Sequence, residues 1–172
     1  MTYRAVEVDL ETRLAVSDML VQEAEHLDDR RFEEWLEFFT PDIEYTAPIR
    51  VARKSPASDI IESIGHFDDT LASLTLRVRR LRTDVAWAED PPSHTRRLVT
   101  NIRIRKTDAE GELDASSNLL LFRSRSDRGQ YDLIVGERRD RLRLVDGEWH
   151  IARRKAILDQ SSLGTKNLGV FL

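Results

Sequence analysis

The stretch from residue 26 to residue 50 constrains the fold of this chain most, because its hydrophobic period changes there. A first apolar stripe, at helical spacing, consists of Phe32, Trp35, Leu36 and Phe39. A second stripe, at a spacing of two, consists of Ile43, Tyr45, Ala47 and Ile49. Between them Thr40-Pro41-Asp42 predicts a turn, since proline cannot continue a helix. We therefore expect a helix, a turn and a strand, with the helix packed on the sheet that the strand joins.

A longer helix is predicted before this unit. Asp9 or Thr12 can cap it, because both side chains accept a hydrogen bond from a free backbone N–H. Its apolar side consists of Leu10, Leu14, Val21, Ala24 and Leu27. Asp28 and Asp29 then start the next helix, since carboxylates suit the positive end of a helix dipole.

A third helix is predicted after Asp68-Asp69-Thr70, which serves as its N-terminal cap. One face of it carries Leu71, Leu74, Val78 and Leu81. Before this helix, residues 58–61 predict a short helical turn and Gly65-His66-Phe67 predicts a break. After it, residues 87–92 contain paired prolines and predict a rigid, extended connection.

The remainder of the chain has the pattern of β-structure. Strands are predicted at 96–106, 113–125, 131–145 and 148–159, with Leu98, Ile102 and Ile104 on one face of the first. Asp146-Gly147 predicts a hairpin between the last two strands. Helices followed by strands indicate an α+β domain spanning residues 1–172. We expect one curved antiparallel sheet that wraps the N-terminal helices and half-closes into a cone with an interior cavity.

Composition limits the class of protein. The 172 residues are 40% apolar and 34% charged, which is typical of a globular domain with a substantial core. No apolar run approaches the ~20 residues that a membrane-spanning helix needs. The polar, acidic N-terminus does not have the pattern of a signal or transit peptide, so we expect a cytoplasmic location.

The absence of cysteine is the strongest negative feature. It excludes disulfides, thiolate zinc sites, a cysteine nucleophile and any cysteine-ligated iron–sulfur cluster within this chain. The four histidines, which are widely spaced, are His26, His66, His94 and His150. We therefore expect no metal site built from this chain alone.

Arginine is concentrated in the predicted strands, whereas the first 50 residues are acidic. A nucleic-acid binder is one interpretation of such arginine density. The pI of about 5.6 and the interleaved acidic residues argue against it. Arginine is also enriched at protein interfaces, so subunit contacts are favoured, with solvated strand faces as the alternative.

Three residues are candidates for acid–base or hydrogen-bonding chemistry in the cone. Asp29 could act as a general base, or be only a carboxylate at a helix N-terminus. Tyr45 could donate a hydrogen bond into the cavity, or lie in the core with its hydroxyl satisfied. His66 could be an acid–base group, or a loop histidine at an interface. No nucleophile elbow, phosphate-binding loop, dinucleotide fingerprint or HExxH motif occurs.

The chain ends in an apolar segment containing Leu168, Val170, Phe171 and Leu172. An exposed segment of this kind promotes aggregation. We therefore expect it to fold back into the core or to dock on a neighbouring subunit.

Several stretches resemble the small (β) subunit of bacterial aromatic-ring-hydroxylating dioxygenases. They are LDDRRFEEWL at 27–36, TPDIEY at 40–45, WAEDPPSHTRRLVTNI at 87–102, ARRKAILDQ at 152–160 and KNLGVFL at 166–172. The resemblance covers nearly the whole chain. It implies the cone-shaped, nuclear transport factor 2-like fold that ketosteroid isomerase and scytalone dehydratase share, which agrees with the architecture predicted above.

The resemblance also implies a division of labour. A larger α subunit carries a Rieske [2Fe–2S] cluster and a mononuclear iron, and it inserts both atoms of O₂ into an aromatic ring to give a cis-dihydrodiol. Electrons come from NAD(P)H through a reductase and often a ferredoxin. The β subunits form a trimer within an α3β3 assembly, and this chain has no catalytic, cofactor-binding or metal-binding residue of its own.

Two alternatives share the same fold. A stand-alone isomerase or dehydratase would use Asp29, Tyr45 and His66, and a ligand-binding cone would carry no chemistry. On the β-subunit interpretation, we expect the aromatic face of Phe32, Trp35, Leu36 and Phe39 to fill the space that an enzymatic relative leaves open.

Overall fold

The computed structural model describes residues 8–51, 59–82, 92–124, 129, 131–160 and 169–172. The helices are α1 (Leu10–Asp28), α2 (Phe32–Trp35) and α3 (Leu71–Leu81), and a 3₁₀ turn at Leu36–Phe38 follows α2. The strands are β1 (Phe39–Arg50), β2 (Ile60–Asp69), β3 (His94–Lys106), β4 (Glu112–Ser124), β5 (Tyr131–Val145) and β6 (Glu148–Leu158). The predicted connection at 87–92 lies outside the described residues, except for Pro92.

The six strands form one sheet in the order β2-β1-β6-β5-β4-β3. Strands β3 to β6 pair antiparallel in sequence order, as predicted, and β1 pairs antiparallel with β2. The pair of β1 with β6 is parallel and joins the two halves of the chain in one sheet. Helix α1 packs against both β3 and β6, and α3 packs against β1 and β2. The predicted α+β architecture, a curved and mainly antiparallel sheet around helices, is confirmed.

The caps of α1 and α3 are confirmed. The Asp9 carboxylate accepts a hydrogen bond from the Thr12 backbone N–H at 2.8 Å, so Asp9 is the cap of α1. Thr70 caps α3, and a reciprocal bond from the Thr70 N–H to the Ser73 hydroxyl, at 2.9 Å, completes a capping box.

The predicted apolar side of α1 is wrong in part. Leu10, Leu14 and Val21 are 71%, 62% and 51% exposed. The residues of α1 that are buried are Val16, Leu20, Glu23, Ala24 and Leu27. Ala24 and Leu27 are buried as predicted, but apolar character alone could not identify the whole buried face, because that face includes the charged residue Glu23.

Asp28 and Asp29 do not start a helix, contrary to prediction. Helix α1 continues to Asp28, and the Asp29 N–H donates to the Glu25 carbonyl at 2.8 Å as the C-terminal cap. The chain then turns through Arg30, whose φ is +59°, before α2 begins at Phe32. The unpaired carbonyl groups of a helix end favour this sharp left-handed turn.

The predicted turn at Thr40-Pro41-Asp42 is wrong, since these residues belong to β1. Phe39 faces Ile151 of β6, and the next regular pair is Glu44 with Arg153. The ladder is therefore irregular where Pro41, which has no N–H to donate, enters the strand.

Strand β2 was missed, because residues 58–61 and 65–67 predicted a helical turn and a break. Residues 60–69 instead pair with β1, and Gly65 faces Pro48 where the register shifts. Glycine and proline thus occupy an irregular part of the ladder here instead of ending a strand.

Strand β3 changes its inward face at a bulge. The pairing shifts between Thr100 and Arg103, and Asn101 has a φ of +54°. Leu98 is consequently 48% exposed while Ile104 is buried, so the prediction that they share a face is wrong. One extra residue in a strand moves every later side chain of that strand to the opposite face of the sheet.

Replacing Gly136 of β5 by alanine should strongly destabilise the sheet. An added Cβ would lie 2.5 Å from the Ile157 carbonyl oxygen of β6, so two backbones would have to separate. We expect a loss of about 2–3 kcal/mol in the free energy of unfolding, measured by urea denaturation. Gly111→Ala is the control, because its site is open and only the φ of +74° opposes the change, at about 1 kcal/mol. Equal losses in the two variants would contradict the backbone clash.

Candidate functional site

The interior of the cone, which is the concave side of the sheet, is filled by aromatic side chains. Trp35 is fully buried, and its ring lies 4.8 Å from Phe39 and 4.4 Å from Phe171, centroid to centroid. Tyr45 stacks on Phe67 at 5.3 Å. Phe32 and Leu36, the other members of the predicted aromatic face, are partly buried against this cluster. The apolar residues of this face therefore fill part of the interior of the cone.

The C-terminal segment contributes to this filling. Val170, Phe171 and Leu172 are all buried, which confirms that the segment folds back into the core. Leu168 lies outside the described residues. The Phe171 ring packs on Trp35. The guanidinium of Arg77 lies 4.7 Å from the centroid of the Phe171 ring. The segment therefore packs directly against the aromatic side chains of α2.

Tyr45 is fully buried, with its hydroxyl bound to the backbone of Leu172. The hydroxyl donates to the Leu172 carbonyl and accepts from the Leu172 N–H at 2.9 Å. Burial raises the pKa of this phenol above its usual value of 10. A neutral hydroxyl with both hydrogen-bonding functions occupied holds the C-terminal segment in place, and it has no access to a ligand.

The centre of the interior is an ion-pair network around Glu23 of α1. Arg154 and Arg138 donate to its carboxylate at 2.7 Å and 2.8 Å, and the Trp35 indole donates at 2.8 Å. Arg154 also makes two 2.9 Å bonds to Asp140. All five side chains are buried. The network links α1, α2, β5 and β6 through a single carboxylate.

The charges of the network reinforce one another. Burial alone would raise the pKa of Glu23, but the charges of Arg154 and Arg138 outweigh it and lower the pKa from 4.5 to about 2. Burial would likewise lower the pKa of Arg154, and the carboxylates of Asp140 and Glu23 instead raise it well above its usual value. Glu23 and Arg154 are therefore both charged at neutral pH, so the network is suited to structural support and not to proton transfer.

The sequence interpretation missed this network, although a signal for it exists. Glu23 lies at helical spacing among the buried residues of α1. Arg138 and Asp140 lie at a spacing of two on the same inward face of β5 as Ile134 and Leu142. A charged residue at such an inward position indicates a buried partner, because an isolated buried charge is too costly.

Asp28 and Arg97 form a second buried pair, between the end of α1 and β3. The Arg97 N–H donates to the Asp28 carboxylate at 2.7 Å, and the Arg97 guanidinium binds both Asp28 and, at 2.7 Å, the Phe171 carbonyl. Burial lowers the pKa of Arg97, with Asp28 opposing the shift. This pair anchors the C-terminal segment to α1 and β3 together.

The three candidate residues do not converge. Asp29 is exposed at the end of α1, Tyr45 lies in the core, and His66 is half-buried on β2. None of the four main cavities in the described part of the chain is lined by Asp29 or Tyr45. His66 lines a groove of about 220 Å³ with Asp69 and Arg77, which form an ion pair with each other.

Within the described ranges, no group of three or more histidine, aspartate and glutamate side chains is placed to hold a metal ion. No helix in the same ranges has the length and apolar character to cross a membrane.

Comparisons with known proteins agree on one family. Residues 22–165 match the sequence model of the family described as "Ring hydroxylating beta subunit". The chain is 39% identical over 170 residues to the benzene 1,2-dioxygenase subunit beta of Pseudomonas putida, covering 95% of this chain and 90% of that protein. It is 35% identical, with the same coverage, to the biphenyl 2,3-dioxygenase subunit beta of Rhodococcus jostii strain RHA1.

The fold has a close counterpart among solved structures. A chain of naphthalene 1,2-dioxygenase, solved with indole bound in its active site, superposes with a TM-score of 0.81 at 23% identity. The superposition covers 96% of this chain and 89% of that chain. At this identity the likeness concerns the fold alone.

Removing the Glu23 charge should alter both stability and its pH dependence. Because folding lowers the pKa of Glu23 from 4.5 to about 2, its contribution of about 3 kcal/mol is present above pH 4.5 and lost as the pH falls towards 2. We expect Glu23→Gln to lower the free energy of unfolding by about 3 kcal/mol at pH 7, and by much less at low pH. Urea denaturation over a pH series measures this difference.

Glu25→Gln is the matched control for this experiment. Glu25 lies on the same helix but is exposed, so its replacement should change neither stability nor the pH profile appreciably. If Glu23→Gln and wild type lost stability in parallel as the pH falls, the strong stabilisation of the Glu23 charge would be refuted.

Proposed function

This chain belongs to the family of ring-hydroxylating β subunits, and from that membership we infer that it supports a catalytic α subunit in the cis-dihydroxylation of an aromatic compound. It is a β subunit of a ring-hydroxylating dioxygenase and hence an oxidoreductase component. The relatives named above act in benzene and biphenyl dioxygenases, so the proposal extends to aromatic compounds as a class.

The filled interior is the observation that carries the structural, non-catalytic role. The space in which a cone-shaped enzyme would hold its substrate contains Trp35, Phe39, Phe171 and the Glu23 network. Asp29, Tyr45 and His66 do not meet at one cavity. We propose that none of the three is catalytic and that this interior serves to make the subunit rigid.

The redox centres are assigned to the partner in this proposal. A Rieske cluster needs two cysteine and two histidine ligands, and this sequence has no cysteine. The Rieske [2Fe–2S] cluster and the mononuclear iron would thus lie in the α subunit. NAD(P)H would supply electrons through a reductase and a ferredoxin that dock on α.

The proposed assembly is α3β3, with a trimer of this chain supporting three α subunits in the cytoplasm. The whole chain, residues 1–172, would act as one domain, since β1 from the first half pairs with β6 from the second. Exposed apolar residues such as Leu10 and Leu14 on α1, and Leu98 on β3, are available for subunit contacts.

Co-expression with the large subunit tests the division of labour. The partner to be tested is a larger chain with Cys-x-His and Cys-x₂-His motifs, sought first in the reading frames next to this gene. We expect the two chains to co-purify with iron, and this chain purified alone to contain no stoichiometric iron and no oxygenase activity. Metal analysis and an oxygen-uptake assay provide the measurements. Stoichiometric iron in this chain alone, or failure to co-purify, would contradict the proposal.

Substitution of the candidate residues tests the non-catalytic role. Asp29→Asn, Tyr45→Phe and His66→Gln, each assembled with α, should leave kcat within about twofold of wild type, since no proton transfer is assigned to them. Tyr45→Phe should still lower stability by about 1–2 kcal/mol, because the Leu172 backbone loses its partner. A drop in kcat of more than tenfold with the assembly intact would show that the replaced residue takes part in catalysis.

A further inference from the structure

We propose that two different surfaces of this chain bind one another between neighbouring copies and so close the β ring. One is a groove with acidic residues at its edge and apolar residues at its base, here called the acidic groove. The other is a row of arginines on the outer face of β3, here called the arginine row. The inference rests on the trimer proposed above and identifies the surfaces that form it.

The acidic groove lies between α1, the 3₁₀ turn and the β5–β6 hairpin, with a volume of about 460 Å³. Its base is apolar: Met19, Phe38 and Trp149 line it and are partly buried against the core. Its edge carries the exposed carboxylates of Asp18, Glu37 and Glu148. Such a groove suits a partner that combines apolar contact with positive charge.

Glu34, which also lines the groove, pairs with Arg31, but the three edge carboxylates named above have no cationic partner within the described ranges. Asp18 accepts only a 2.8 Å bond from the neutral Gln22 amide. On the sheet, in contrast, Glu44 is paired with Arg153 and Glu62 with Lys155. The acidic groove therefore presents uncompensated negative charge, which a complementary surface can neutralise.

The arginine row consists of Arg96, Arg103 and Arg105, with Leu98 among them. All four are exposed, and no carboxylate in the described part of the chain pairs with the three arginines. The bulge at Asn101 keeps them together, since without its extra residue Arg103 and Arg105 would point to the side opposite Arg96 and Leu98. The row thus offers three guanidinium groups and one apolar side chain on one outer strand face.

The two surfaces are complementary in charge and in apolar character. Three unpaired carboxylates match three unpaired guanidinium groups, and Leu98, 48% exposed, matches the apolar base of the groove. Arginine is enriched at protein interfaces because its planar fork pairs bidentately with carboxylates. Both halves of the match lie on this chain, so a second copy is the occupant that we assign.

The two surfaces lie on different sides of the sheet, so one copy can contact two neighbours at once. Trp149 at the base of the groove packs on the core on the helical side of the sheet, whereas the arginine row lies on the other side. A contact between two different surfaces is heterologous, and repetition of such a contact generates a closed ring when the rotation allows. A trimer then contains three identical contacts, each between the groove of one copy and the row of the next.

The absence of cysteine from this chain allows a direct test by thiol cross-linking. Two variants with different tags, Glu37→Cys and Arg105→Cys, are co-expressed with the α subunit and treated with a flexible bis-maleimide. We expect a covalent β–β dimer at least tenfold more abundant than with either variant alone, because each contact needs one groove and one row. Denaturing gel electrophoresis measures it.

The control pair combines Glu37→Cys with Arg79→Cys. Arg79 is an exposed arginine of α3 outside the proposed contact, so this pair should give no more dimer than the single variants. Equal dimer from both pairs would overturn the inference. Cross-links from both sites only to the α subunit would assign these surfaces to α instead, and would also overturn it.

Charge reversal provides an independent measurement. Arg103→Glu with Arg105→Glu, or Asp18→Lys with Glu37→Lys, should each weaken β–β association by tenfold or more in native mass analysis of the complex. All four substitutions in one chain should restore it, since every contact then carries the reversed pair. Unchanged association in the two double variants would refute the assignment of surfaces. If the α subunit still co-purified with these double variants, the proposed function would stand although this assignment of surfaces had failed.

Discussion

The buried carboxylate of Glu23 is the contact on which the arrangement of helices against the sheet depends. It receives hydrogen bonds from Arg138 of β5, Arg154 of β6 and Trp35 of α2, all without access to water. Loss of one partner from a buried ion pair costs about 3–5 kcal/mol, so alternative placements of α1 are strongly disfavoured. The network thereby fixes the depth and rotation of the helix in the cone.

This fixed placement explains why the interior is closed. With α1 held against β5 and β6, Trp35 lies centrally, and the Phe171 ring packs on it from the C-terminal segment. Arg97 and Tyr45 then bind the backbone of the same segment. A subunit closed in this way presents the acidic groove and the arginine row on its surface. This distribution agrees with the proposed role in supporting the α subunit.

The sequence predicted well those features that depend on local chemistry. The Asp9 and Thr70 caps, the β5–β6 hairpin at Asp146-Gly147 and the short helix that carries Trp35 are as predicted, because each follows from nearby residues. The predicted helical stripe extended too far, since Phe39 is buried as the first residue of β1. The errors within the strands concern Pro41, Gly65 and Leu98. At these positions a partner strand decides the outcome: an irregular ladder accommodates the proline and the glycine, and a bulge reverses the face of the leucine.

The stretch of residues 26–50 shows the same difference between features set by local sequence and features set by tertiary contacts. Its sequence alone determined that an aromatic helix precedes an alternating strand, since hydrophobic period is a local property. Only the tertiary structure decided that Asp29 ends a helix, that Tyr45 binds the backbone of Leu172 and that Glu23, four residues before Leu27, organises the interior. Charged partners from β5 and β6 are more than a hundred residues away in sequence, and a buried charge is stabilised only when such partners meet in space.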